Sequence, residues 1–148
     1  MKDDRLRFDL ASRGALLFSI GMVTGLWSAL ALSGKVKVGI PHLALSAHLN
    51  GLLGGLWMIA VAFTLPFLSY GEQAKRRLSL AVTVPSYGNW LVTLVASFLG
   101  VRGLDYNGDH ANDAIAVLLQ SVVVLPTLGA CAAWSWGFLR RSASPGDA

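Results

Sequence analysis

Hydrophobic residues fall into four long stretches, at approximately residues 15–32, 47–68, 78–99 and 114–138. Each stretch is close to the roughly 20 residues that an α-helix needs to cross a bilayer core about 30 Å thick. Short polar segments separate the stretches, as they do between antiparallel neighbours in a helix bundle. The pattern therefore predicts an all-α integral membrane four-helix bundle, in which residues 1–148 form one four-span transmembrane domain.

The composition excludes most soluble classes of protein. Of 148 residues, 54% are hydrophobic and only 14% are charged, whereas soluble domains carry about one quarter charged residues. The single cysteine, Cys131, excludes an intrachain disulfide framework and a cysteine-based metal cluster. The net charge of +4 comes from basic residues that flank the spans, so we predict membrane lipid and no nucleic acid as a partner.

The basic residues are divided unevenly between the two sides of the predicted membrane. One side has nine of them and the other has three: Lys2, Arg5, Arg7, Arg13, Lys75, Arg76, Arg77, Arg140 and Arg141 against Lys35, Lys37 and Arg102. Basic residues near span ends stay preferentially in the cytoplasm. We therefore expect a multi-pass protein of the cell inner membrane with both termini cytoplasmic.

Glycine and proline indicate how the spans pack. Gly21-x-x-x-Gly25 and Gly51-x-x-x-Gly55 have the small-residue spacing that lets two membrane helices approach closely. Proline removes a backbone donor, which disturbs a helix that continues through it. Kinks are therefore predicted at three positions: Pro66, Pro85 and Pro126.

His48 is the most informative polar residue, because an ionisable side chain at membrane depth is costly and marks a candidate functional site. It could be a ligand or catalytic group, or a histidine near a helix start that bonds to a carbonyl. His42 is expected to be solvated in the preceding loop. The central parts of the spans contain no Asp, Glu, Lys or Arg, which argues against a proton-driven transporter.

The third span has a polar face made of residues three and four positions apart. Its members are Thr83, Ser86, Asn89, Trp90, Thr93 and Ser97, with Tyr87 beside them. These residues could bond to neighbouring helices or line a pocket for a small aromatic substrate. Residues 105–113 begin like a calcium loop but lack the glutamate at the twelfth position, which favours a capped, solvated turn.

A metal centre on His48 would have no second intramembrane histidine from the same chain, so one chain cannot form a bis-histidine haem. A haem iron with one protein ligand keeps an open position and acts as a Lewis acid. This logic favours isomerisation or oxygen chemistry over simple electron relay.

Several segments together carry a resemblance to a known family. They are Ala47-His48, Met58-Ile-Ala-Val-Ala-Phe-Thr-Leu-Pro66, Tyr87-Gly-Asn-Trp90 and Arg102-Gly-Leu104. This ordered set resembles the styrene oxide isomerase and hydroxylaminobenzene mutase family, and Ser46-Ala-His-Leu49 looks closer to the mutase branch. The resemblance implies a small membrane isomerase, a homotrimer, with haem b between subunits and His48 as the axial ligand of the haem iron.

The resemblance also guides the choice of substrate. Asn89 matches an asparagine of the family's third span, whereas three pocket positions of the epoxide isomerases are occupied here by Gly54, Pro85 and Thr93. These differences weigh against an epoxide substrate. The leading hypothesis is therefore the redox-neutral conversion of hydroxylaminobenzene to 2-aminophenol, with ferric haem b on His48 as Lewis acid.

Four further residues are candidates for orienting the small aromatic substrate: Asn50, Tyr87, Asn89 and Thr93. Rearrangement of an epoxide to an aldehyde is the alternative reaction within the family. From a different class, the chain could be a haem-binding electron-transfer subunit or a non-catalytic membrane subunit, in which these polar residues only join helices.

Overall fold

The computed structural model describes residues 2–142, which fold into long helices joined by short connections. The elements are α1 (Lys2–Leu32), α2 (Pro41–Thr64), a 3₁₀ turn (Leu65–Phe67), α3 (Glu72–Leu99), α4 (His110–Leu118), a π-helical segment (Leu119–Val124) and α5 (Leu125–Ser142). Four stretches are long and apolar enough to span a membrane: Asp4–Leu32, Pro41–Phe67, Glu72–Leu99 and His110–Arg140. The all-α class and the four membrane-capable helices are thus confirmed.

Successive long helices run in opposite directions, so the start of α1 and the end of α5 lie at the same end of the bundle. There, the Ser69 amide after α2 donates to the Gly137 carbonyl in α5. At the opposite end, the Ile40 amide before α2 donates to the Ser97 carbonyl in α3 at 3.0 Å. The nine basic residues assigned to one side therefore belong to one end of the bundle. That this end is cytoplasmic stays a prediction.

Local sequence explains where several helices begin and end. Pro41 occupies the first position of α2, where its missing N–H costs no helical hydrogen bond. Asp109 caps α4 by accepting from the Asn112 amide at 2.8 Å. Gly100 ends α3 in the left-handed conformation, with φ 72°, which glycine adopts without steric cost.

The first two helices pack through glycine. A Cβ added to Gly51 would lie 2.7 Å from the Gly21 Cα, and one added to Gly14 would lie 2.8 Å from the Gly55 carbonyl oxygen. Such distances leave no room for side chains, so backbone meets backbone. The close approach predicted from the glycine spacing is confirmed, and it also involves Gly14.

The three prolines that were predicted to kink their helices affect them differently. Pro66 lies in the 3₁₀ turn that follows α2, and Pro126 directly follows the start of α5, after the π-helical segment. The π-helical turn before Pro126 is wider than an α-helical turn and so relieves the clash between the proline ring and the preceding turn, whereas the tighter 3₁₀ turn at Pro66 ends α2. Pro85, by contrast, lies inside α3, which stays helical on both sides of it.

Candidate functional site

His48 lies in the second turn of α2 and faces α1. Its Nδ1 atom lies 2.7 Å from the Gly21 carbonyl oxygen. Because a carbonyl only accepts, Nδ1 must donate the proton, and a neutral imidazole then carries its lone pair on Nε2. Metal-binding histidines commonly have this arrangement, in which one ring nitrogen is held by a carbonyl and the other is left for the metal. The carbonyl bond expected of a structural histidine is therefore present, yet it engages only one nitrogen.

Gly25 makes room for the imidazole. A Cβ at this position would lie 2.8 Å from His48 Cε1 and 2.9 Å from Nδ1. The two glycines of the first motif thus have different roles, since Gly21 supplies the carbonyl and Gly25 supplies the space. Sequence reasoning assigned both to helix packing alone and missed this part of the site.

Asn50, Asn89 and Thr93 form a polar trio between α2 and α3. The Asn50 side-chain amide donates to Asn89 Oδ1 and to Thr93 Oγ1, both at 3.1 Å, and the Thr93 hydroxyl lies 3.4 Å from Asn89 Oδ1. Within residues 4–140, no hydrogen bond engages Asn50 Oδ1 or the Asn89 side-chain amide nitrogen. The trio therefore joins two helices and also keeps one acceptor and one donor available.

A cleft of about 240 Å³ adjoins this trio, and we call it the amide cleft. Its lining residues are Asn50, Leu53, Gly54, Trp57, Pro85, Ser86, Asn89 and Thr127. The volume exceeds that of a cavity of about 150 Å³ that holds benzene in another protein. Gly54 and Pro85, two of the three pocket positions considered in the sequence for their bearing on the substrate, lie in this wall. The cleft thus combines an apolar wall for a ring with amide groups for a polar substituent.

His48 and the trio lie on different sides of α2. Positions two residues apart on a helix diverge by about 200°, so His48 points to α1 whereas Asn50 points to α3. Tyr87 is also apart from the trio, because its hydroxyl donates to the Arg13 carbonyl at 2.9 Å. The structure therefore brings together three of the predicted site residues and separates His48 and Tyr87 from them.

A second cleft, lined by aromatic rings, was not predicted from the sequence. It measures about 400 Å³ and is lined by Ser19, Ile20, Val23, Thr24, Trp27, Trp90, Leu94 and Phe98. The Trp90 indole donates to Thr24 Oγ1 at 3.0 Å, which ties α3 to α1. Trp90 also lies close to Gly51, so it adjoins the helix crossing that holds His48.

The other polar positions have structural roles. His42 is exposed, as expected, but it lies in the first turn of α2 rather than in a loop. In the 105–113 segment, the Asp113 carboxylate accepts from the amides of Asn107 and Gly108 at 3.0 and 3.2 Å. Together with the Asp109 cap, these bonds confirm the predicted capped turn.

The fold and site define a four-helix membrane protein with one carbonyl-anchored histidine and an amide-lined cleft. A family model described as styrene oxide isomerase matches residues 6–139, so the chain belongs to the styrene oxide isomerase family. It is also 29% identical to hydroxylaminobenzene mutase HabB from Ectopseudomonas oleovorans over 135 residues, which cover 86% of this chain and 78% of that protein. The resemblance noted in the sequence is confirmed, and both comparisons support an isomerase.

Proposed function

We propose that this protein converts hydroxylaminobenzene, or a close relative of it, to the corresponding 2-aminophenol. The similarity to a hydroxylaminobenzene mutase supports this choice of substrate. Substrate and product are isomers, because the N–O bond breaks, a C–O bond forms at the ortho carbon, that carbon loses a proton and the nitrogen gains one. The reaction therefore needs no external electron donor.

The observation that carries the proposal is the anchored His48. The proton on Nδ1 leaves the lone pair on Nε2, and Nε2 is the atom with which His48 would hold a haem iron. We infer that His48 holds ferric haem b. When bound, the haem would supply a Lewis acid that withdraws charge from the substrate oxygen. The role of Gly21 is to keep the proton on Nδ1, and that of Gly25 is to leave the imidazole free to take this orientation.

The polar trio is assigned to orienting the substrate. The Asn89 amide N–H can donate to the substrate oxygen, while Asn50 Oδ1 can accept from the substrate N–H. Thr93 fixes the Asn50 amide by accepting from it. The apolar part of the amide cleft would hold the aromatic ring away from water, where oriented dipoles act most strongly. Tyr87 contributes less directly to substrate orientation, since its hydroxyl donates a hydrogen bond to the Arg13 carbonyl of α1.

A homotrimer with haem between identical subunits forms part of the proposal. Within one chain, His48 and the trio lie on different sides of α2, and we propose that the substrate of a haem held by His48 would be oriented by the amide cleft of a neighbouring subunit. We further propose that the protein resides in the cell inner membrane with cytoplasmic termini. The concentration of basic residues at one end of the bundle supports this orientation.

Conversion of an epoxide to an aldehyde is the second candidate, and the name of the matching family favours it. The glycine at position 54 and the proline at position 85 weigh against it, because neither side chain can donate a proton or a hydrogen bond to an opening epoxide.

The deciding experiment supplies hydroxylaminobenzene and styrene oxide separately to the purified protein, without any reductant. We expect 2-aminophenol from the first substrate and little aldehyde from the second. Turnover of styrene oxide alone would favour the second candidate. Activity that depends strictly on an added electron donor would contradict both isomerase reactions and favour an electron-transfer subunit.

A further inference from the structure

A third cleft lies at the end of the bundle where the described chain begins and ends, between α1 and α3. We call it the arginine cleft, and it measures about 520 Å³. Its lining residues are Arg5, Leu6, Asp9, Arg13, Arg76, Ser79 and Leu80. It is separate from the amide cleft and from His48, so the proposed function does not account for it.

The charges of this cleft are unbalanced. Three guanidinium groups face one carboxylate, and within residues 4–140 no ion pair engages Arg5, Arg13 or Arg76. Nearby Arg7 differs, because it pairs with Asp4 at 3.5 Å. The three arginines of the cleft therefore keep their hydrogen-bond donors available for an anion.

The cleft also lies at the level where a membrane changes from polar to apolar. Arg13 immediately precedes the apolar part of α1, and Arg5 lies eight residues earlier, about 12 Å along the helix axis. Leu80 has 56% of its surface exposed and borders the same cleft, on the α3 side. A molecule that fills the cleft thus meets arginine at one end and hydrocarbon at the other.

We propose that the arginine cleft binds the phosphate of an anionic phospholipid, with its acyl chains beside Leu80. Arginine forms bidentate hydrogen bonds with phosphate oxygens, and basic pockets between membrane helices recognise anionic headgroups. The apolar border favours a lipid over a free phosphate ion. The negatively charged Asp9 carboxylate repels the lipid phosphate and so limits the affinity of the cleft for the lipid.

The test measures the melting temperature of the full chain in nanodiscs of phosphatidylcholine with increasing amounts of phosphatidylglycerol. The double variant Arg13→Gln/Arg76→Gln removes two charges from the cleft. Arg77→Gln/Arg140→Gln is the matched control, because it removes two exposed arginines at the same end that do not line the cleft. We expect phosphatidylglycerol to stabilise the wild type and the control, with about a tenfold weaker response in the cleft variant.

Two further arms make the result decisive. Asp9→Asn should give the same rise in melting temperature at a lower fraction of phosphatidylglycerol. A variant that was merely misfolded would not show this gain. Inorganic phosphate added to phosphatidylcholine nanodiscs should have little effect. Equal weakening in both double variants, or no response of the wild type to phosphatidylglycerol, would overturn the proposal. Equal stabilisation by inorganic phosphate would also overturn it, because it would identify a free anion as the ligand.

Discussion

The two sides of α2 are built in contrasting ways. Toward α1, glycines allow the two backbones to come into contact, and the His48 side chain hydrogen-bonds to the Gly21 carbonyl. Toward α3, amide and hydroxyl side chains bond to one another and border the amide cleft. The first interface fixes one side chain rigidly, whereas the second leaves space and hydrogen-bonding capacity.

This difference matches what the two parts of the proposed reaction need. A cofactor ligand must keep one tautomer and one orientation, and a backbone carbonyl in a tightly packed helix holds both. A substrate must enter, be oriented and leave. This requires space and polar groups whose hydrogen-bond donors and acceptors are not already engaged. Substitutions on the α1 side should therefore alter cofactor retention, and substitutions on the α3 side should alter turnover alone.

The largest effect is expected from His48→Ala. This change removes the imidazole proposed to bind haem but no feature that determines membrane insertion, so the purified protein should lose its haem while remaining in the membrane fraction. The Soret absorbance in mild detergent measures this. His42→Ala is the control and should retain haem, since His42 is exposed in the first turn of α2. Haem that persists in His48→Ala and disappears in His42→Ala would show that the ligand is misassigned.

Gly25→Ala should have the next largest effect. The new methyl group would meet the imidazole ring at 2.8–2.9 Å, so the ring or α1 must move. Overpacking of this kind costs about 1–3 kcal/mol, and we expect a lower melting temperature together with a shifted or weakened Soret band. Gly129→Ala is the matched control, because a Cβ at that helical position would meet no atom within 4 Å. If Gly25→Ala kept a normal haem content and a normal spectrum, Gly25 would not be part of the haem site.

The four helices were predictable because the bilayer leaves the backbone few choices. Each backbone N–H and C=O must be satisfied within the segment, so a long apolar stretch becomes a helix. The close contact of α1 with α2 was predictable for a similar reason, since glycine spacing permits backbone approach only on one helix face. The helices nevertheless extend beyond the apolar stretches, because polar flanks such as residues 2–14 continue the same helix outside the hydrocarbon.

The partners of individual side chains were less predictable. Helix spacing gives the relative directions of residues in one helix, and it already implies that His48 and Asn50 diverge. It does not give the rotation of one helix against the next, which decides that Gly25 faces the imidazole and that Trp90 reaches Thr24. The π-helical segment of residues 119–124 also left no clear signal in the hydrophobic pattern.

Asn89→Ala tests the α3 side. The variant should retain haem but turn over substrate more slowly, because one oriented hydrogen bond to a polar substrate contributes about 0.5–1.5 kcal/mol, equivalent to roughly a two- to tenfold change in rate. Steady-state assays with hydroxylaminobenzene and the Soret absorbance are the paired measurements. Thr83→Ala is the control, since the Thr83 hydroxyl bonds only within its own helix, to the Ser79 carbonyl. Loss of haem in Asn89→Ala would contradict the division of roles between the two sides of α2.

The smallest change in melting temperature is expected from Trp90→Phe. This variant tests whether α3 helps to position His48. The change keeps an aromatic ring beside Gly51 but removes the 3.0 Å hydrogen bond to Thr24. Side-chain hydrogen bonds between membrane helices contribute about 0.6 kcal/mol on average, so the melting temperature should fall only slightly. Trp136→Phe provides the baseline, because Trp136 is 58% exposed. The Soret band should stay unchanged, since Gly21 and Gly25 hold the imidazole from α1 alone. A spectral shift as large as that of Gly25→Ala would mean that α3 also positions His48, and the two sides of α2 would then act as one unit.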